Sequence, residues 1–262
     1  MAEITAELVR TLREKTGLGM MECRKALSET QGDLQAAEDL LRKKGLAVAT
    51  TKASRATKEG LIVITVSGTT ASMVEVVCET DFCARNAEFQ AVVRQVAAEV
   101  HKAPAGQFEA TGQITQIVTD CLNKIRENMR FSRGVKIEAP RIATYLHHNK
   151  KVGVLLGVEG DIPQETLNEL CWHIAFANPL AIATDGVPKE AVEYERKIAT
   201  EQAQASAKPP AIQTKMIEGK VRKFLAANAL LEQPFVRDEK RTIKQVLGNA
   251  KVVTFVRYAI GA

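Results

Sequence analysis

The chain has 262 residues, with 36 Lys and Arg against 31 Asp and Glu, a net charge of +5 that is too mild to identify a nucleic acid as partner. At 45% apolar and 26% charged it is a folded chain, with length enough for one sizeable core or two smaller ones. No apolar run approaches the ~20 residues that span a bilayer. The start, Met1-Ala2-Glu3, has neither a signal-peptide nor a transit-peptide pattern, so a cytoplasmic protein made without a targeting segment is expected.

Residues 1–45 read as three short helices. Ile4, Leu8 and Leu12 make the first apolar stripe, with Thr5 as its N-cap, and Gly17-Leu18-Gly19 break it. A second helix covers Met20 to Ser28. Asp33 caps a third, in which Leu34, Ala37, Leu40 and Leu41 align, and Gly45 is expected to end it. Residues 46–59 read as a tether, or else as a short extension of the third helix.

The region 60–139 forms the first half of a core. Leu61–Val66 and Met73–Cys78 are strands about a turn at Gly68-Thr69. Helices follow, one carrying Phe89, Val93 and Val96, the next Ile114, Cys121, Leu122 and Ile125. The order then repeats in pattern, though not in residue identity. Val135–Leu146 and Val152–Val158 read as strands, Leu167–Ile174 lies on a helix, and Val252–Ile260 is a last strand. This second half spans 140–188 and 225–262. Between its parts, 189–224 is polar and helical, with a thin stripe of Ala191, Tyr194 and Ile198, then Ile217, Val221 and Phe224. Pro209 and Pro210 break it, so an antiparallel helical hairpin is expected, the alternative being a solvated linker. The fold class is α+β.

The chain contains no phosphate-binding glycine loop and no nucleophile elbow. Cys23, Cys78, Cys83, Cys121 and Cys171 form no Cys-x-x-Cys pair, and His101, His147, His148 and His173 build no metal spacing, so neither a disulfide framework nor a metal or other cofactor is expected. An enzyme using Cys78 or Cys83 lacks an adjacent base. An RNA-binding or scaffold role would rest on Arg130, Arg133, Lys136 and Arg141, without the aromatic platforms that stack bases. Thr80-Asp81-Phe82 sets an acid and a ring at a strand-to-helix turn. Such a pair would project at the rim of the sheet, but on local pattern alone Asp81 as an N-cap and Phe82 as a packing residue is the expected reading. Met20 and Met21 admit one core residue and one soft docking contact.

Taken together, Ile4-Thr5-Ala6, Thr16-Gly17-Leu18-Gly19-Met20-Met21-Glu22-Cys23-Arg24-Lys25-Ala26-Leu27, Gly32-Asp33 and Ala36-Ala37 resemble the N-terminal module of the bacterial elongation factor Ts family. Glu79-Thr80-Asp81-Phe82 with Ala84-Arg85-Asn86 and Phe89, then Gly219-Lys220, Lys223-Phe224 and Gln233-Pro234-Phe235-Val236, extend the resemblance over nearly the whole chain. The resemblance implies a nucleotide exchange factor for elongation factor Tu that performs no covalent chemistry. It also implies a module like a ubiquitin-associated domain, a two-part core and a projecting hairpin, acting as a monomer or homodimer within the complex, with no membrane or direct nucleic-acid partner. Position by position, Arg13, Met20 and Met21 would dock on the partner's nucleotide domain, with Ile125 adding a core contact. Thr80, Asp81 and Phe82 would form the intruding turn, and His147 would sit against the partner's third domain. Arg126 stands where some relatives have glycine, His148 begins a loop of variable alignment, and the chain stops at Ala262 without the C-terminal extension of some relatives.

Overall fold

The computed structural model describes residues 4–206 and 208–261, and the side chains of all of these except 46–51. The readings at Met1–Glu3 and Ala262 lie outside the described residues. Chain contacts define two compact units. The second comprises Val66–Ala71 and Ile137–Tyr258, and the first comprises the other described residues.

The first unit opens with α1 (Ala6–Thr16), α2 (Met20–Glu29) and α3 (Leu34–Lys52). The Thr5 hydroxyl accepts the Leu8 N–H at 3.3 Å, and the Asp33 carboxylate accepts that of Ala36 at 2.9 Å, so both expected caps form. Gly17, at φ 68°, ends α1 with its N–H on the Arg13 carbonyl. Leu12, Cys23, Ala26, Leu27 and Ala37 are fully buried between the three helices.

Strands β1 (Glu59–Ser67) and β2 (Thr70–Cys78) follow, then the short α4 (Asp81–Arg85), α5 (Ala87–Lys102), β3 (Gly106–Phe108), α6 (Gly112–Ile125) and β4 (Met129–Glu138). The sheet order is β1-β2-β4-β3, and β3 pairs antiparallel with β4. Val74, Val76 and Cys78 of β2 pack with Phe89, Val93 and Val96 of α5 and with Ile114 and Leu122 of α6. β2 is buried along nearly its whole length, which suits its mostly apolar sequence, and the one charge within it, Glu75, is buried too.

Gly45 does not end α3, which continues to Lys52 as the alternative reading of the tether allowed. The glycine serves a close approach: a Cβ there would strike the Asn123 side chain on α6. A helix-stop signal and a packing signal look the same in sequence.

The second unit contains β5 (Arg141–Leu146), β6 (Val152–Glu159), α7 (Gln164–Ala177), α8 (Lys189–Ala205), α9 (Pro210–Asn228), β7 (Pro234–Phe235), β8 (Asp238–Thr242), α10 (Ile243–Leu247) and β9 (Lys251–Ala259). Its main sheet runs β5-β6-β9, with β5 and β6 antiparallel from Arg141↔Val158 to Leu146↔Gly153. Leu167, Leu170, Cys171 and Ile174 of α7 pack on Val154, Leu156 and Val158 of β6. The expected strand from Val135 to Leu146 is two strands, because Pro140 has no N–H for a ladder and interrupts it.

α8 and α9 pack along each other as a hairpin, with the break at Pro209. Its contact line differs from the expected stripe. Ala199, Ala203 and Val221 are buried while Tyr194 is exposed, because two helices paired closely with little else bury small residues. Among the described residues no helix is long and apolar enough to cross a membrane.

Candidate functional site

β2 ends at Cys78, and the chain turns through Glu79 and Thr80 into α4. Thr80, in extended geometry, is the N-cap, and its hydroxyl accepts the Cys83 N–H at 3.2 Å. Asp81 is therefore the first helical residue rather than the cap, and its carboxylate pairs with Arg85 one turn on at 3.1 Å. A threonine hydroxyl reaches the third amide just as an Asp carboxylate does, which is why sequence alone did not separate them. Cys83 and Ala84 point into the core, and this phase sends Phe82 outward, 79% exposed. The reading of Phe82 as a packing residue is thereby overturned.

The turn is held from outside its own segment. The Glu127 carboxylate accepts the Thr80 N–H at 3.1 Å and the Thr80 hydroxyl at 2.8 Å. The Glu79 carboxylate accepts the Asn128 N–H at 2.6 Å and an Arg55 N–H at 3.3 Å, and the Asn128 side chain donates to the Arg55 carbonyl. The Asn128 amide, then Arg55 and Lys52, hold the Glu79 carboxyl below its ordinary value against a smaller opposing effect of burial. Burial, with Arg55 and Arg126 nearby, lowers Lys52. Glu79 and Thr80 belonged to the motif read in the sequence, but their partners Glu127, Asn128 and Arg55 did not stand out there. The contacting pairs lie tens of positions apart, and no local pattern marks them.

Arg126 ends α6 in the left-handed conformation, φ 70°, where glycine is the usual choice. Its guanidinium pairs with Glu22 on α2, and Lys52 donates to its carbonyl. Arg126 therefore ties the three-helix module to the first core. Ile125 beside it is half-buried against that core. On α2, Met20 and Met21 are both exposed, Met21 at 74%, so neither fills the core, and Arg13 is exposed on α1.

In the second unit, His147 follows β5. Its Nδ1 lies 2.6 Å from the Tyr145 hydroxyl, and its ring lies 4.2 Å from that of His148. It lines a shallow hollow with Tyr145, Val152, Trp172, Ala175 and Phe176. Trp172 and Phe176 sit one turn apart on α7, and Phe176 is 83% exposed. Sequence reading missed this pair. The available signal was two large apolar residues lying off the Leu167–Ile174 stripe.

Two other readings lose their chemistry. Cys78 and Cys83 are buried, and contact with Cys83 together with burial pushes the Cys78 thiol up, away from a reactive thiolate. Burial likewise pushes Cys121 up to about 12. Of the basic cluster, Arg133 pairs with Glu75 at 2.7 Å, Lys136 donates to the His101 and Ala103 carbonyls at the end of α5, and Arg141 pairs with Asp161. Three of the four cations thus have intramolecular partners, which leaves little of a phosphate-binding patch.

What remains is a set of exposed Met and aromatic side chains on supported elements, side chains of the kind enriched where proteins meet proteins. The family model described as Elongation factor TS matches residues 79–262. An elongation factor Ts of Paramagnetospirillum magneticum is 43% identical over all of this chain and 92% of its own length. Those of Rhizorhabdus wittichii and Methylococcus capsulatus are 44% and 42% identical, over 95% and 98% of this chain and 87% and 92% of theirs. The chain belongs to the elongation factor Ts family, which places it in translation elongation.

Proposed function

We propose that this protein is a cytoplasmic guanine nucleotide exchange factor for elongation factor Tu, binding the GDP-bound GTPase, speeding GDP release and leaving the site open to GTP. The observation that carries the reading is the exposed Phe82 ring on a turn whose backbone is fixed at both ends. Phe82 wedges between elements that support the nucleotide site. Asp81 disturbs the water shell of the Mg²⁺ that offsets phosphate charge, and Thr80 holds both in place. The Asp81–Arg85 pair is an exposed i,i+4 contact, worth about 0.3–0.5 kcal/mol, so releasing the carboxylate costs little.

Arg13, Met20 and Met21 dock the N-terminal module on the partner, Ile125 supports the adjoining contact, and His147 with its aromatic neighbours meets the third domain. Burying one Phe contributes about 1.5–3 kcal/mol, or roughly one to two decades of release rate. Acceleration beyond that comes from the rest of the interface. Linkage imposes the converse: nucleotide binding expels the factor with the same coupling free energy, which is what lets it turn over.

Stopped-flow release of a fluorescent GDP from elongation factor Tu tests the reading. Acceleration that rises with the concentration of this protein and saturates is expected. Release at the spontaneous rate, with the protein folded, would overturn it.

A further inference from the structure

α4 has only five residues, too few to hold a helical conformation unaided, so the direction of Phe82 depends on what fixes the first turn. The left-handed backbone at Arg126 reverses the chain directly after α6 and brings Glu127 and Asn128 beside the end of β2. Glu127 then takes both Thr80 donors, with the hydroxyl 2.8 and 3.0 Å from its two oxygens and the N–H at 3.1 Å. Because the Thr80 hydroxyl spends its hydrogen on Glu127, its lone pairs are left facing the Cys83 N–H. Asn128 and Glu79 close the clasp in the opposite sense, from the amide of the later segment to the carboxylate of the earlier one.

We infer that Glu127 is a positioning residue for exchange: it preorganises the Thr80 cap, and through it the Phe82 ring, without touching the partner's nucleotide. A carboxylate suits the task. It offers acceptors only, on two oxygens, to two donors that a half-buried turn cannot leave unpaired. Without it Phe82 remains present and exposed but samples many directions, and fixing it again is charged to the exchange step.

The inference rests on the exchange reading above, and its test separates the two. Glu127→Ala and Glu127→Gln are compared with wild type in GDP release from elongation factor Tu, reading the maximal rate apart from the half-saturating concentration. Hydrogen exchange at the Cys83 amide is read in the free protein. Glu127→Ala is expected to lower the maximal rate about tenfold, the loss of charge-assisted hydrogen bonds, with half-saturation held within about threefold. Cys83 exchange should quicken, and Glu127→Gln, which keeps one acceptor, should recover part of both. A maximal rate unchanged in Glu127→Ala while wild type accelerates release would overturn this inference alone. So would a loss seen only in half-saturation. Wild type giving no acceleration would remove the exchange reading and this inference together. If the alanine variant does not fold, Glu127→Gln decides by the same criteria, with a smaller drop expected.

Discussion

Phe82 and Phe176 are the two most exposed aromatic rings among the described residues, at 79% and 83%, yet they are mounted differently. Phe82 stands on a five-residue helix capped by Thr80 and clasped by Glu127. Phe176 lies near the end of the fourteen-residue α7, one turn from Trp172, on a helix whose other face packs on β6. A single ring on a fixed turn suits displacement of whatever it enters. Two rings spread along a helix face suit buried area. Exposure marks both as interface, and the mount separates a wedge from an anchor.

If that distinction holds, kinetics divides along it. Phe82→Ala is expected to lower the maximal GDP-release rate by about one to two decades, with half-saturation within about threefold. The double variant Trp172→Ala with Phe176→Ala should do the opposite, raising half-saturation about tenfold and leaving the maximal rate within about twofold, since buried aromatic anchors carry binding energy. Met21→Ala, removing one exposed and flexible side chain from the module, should weaken docking by roughly threefold in a titration, with the maximal rate intact.

A smaller effect tests the mount itself. His173, buried on α7, bonds the Gln233 side chain, and burial lowers its pKa although that bond opposes the shift. A lowered folded-state pKa means the unfolded chain binds the proton more readily. Stability is therefore full above about 6.5 and falls as pH drops toward the folded-state value. Urea midpoints between pH 7.5 and 5.5 should decline in wild type and decline less in His173→Gln.

How much of this was legible in the sequence varies by element. β2, α5 and α6 were plain, because their apolar residues recur at one period over a full element. β8, with the sequence Asp238-Glu239-Lys240-Arg241-Thr242, carries no apolar alternation, and β3 has three residues, so neither left a pattern. Of the site, the residues of the turn were visible and their mount was not. Thr80 and Glu127 are joined only by the tertiary path through α5 and α6. Trp172 and Phe176 went unread because an apolar helix reads alike on both faces until one face is seen to be packed.

The most direct measurement sets the two rings side by side: maximal rates of GDP release from elongation factor Tu at saturating Phe82→Ala and at saturating Phe176→Ala. Slow release with the first and wild-type release with the second is the expected result. Equal maximal rates for the two variants would contradict it, leaving Phe82 as one more contact among many.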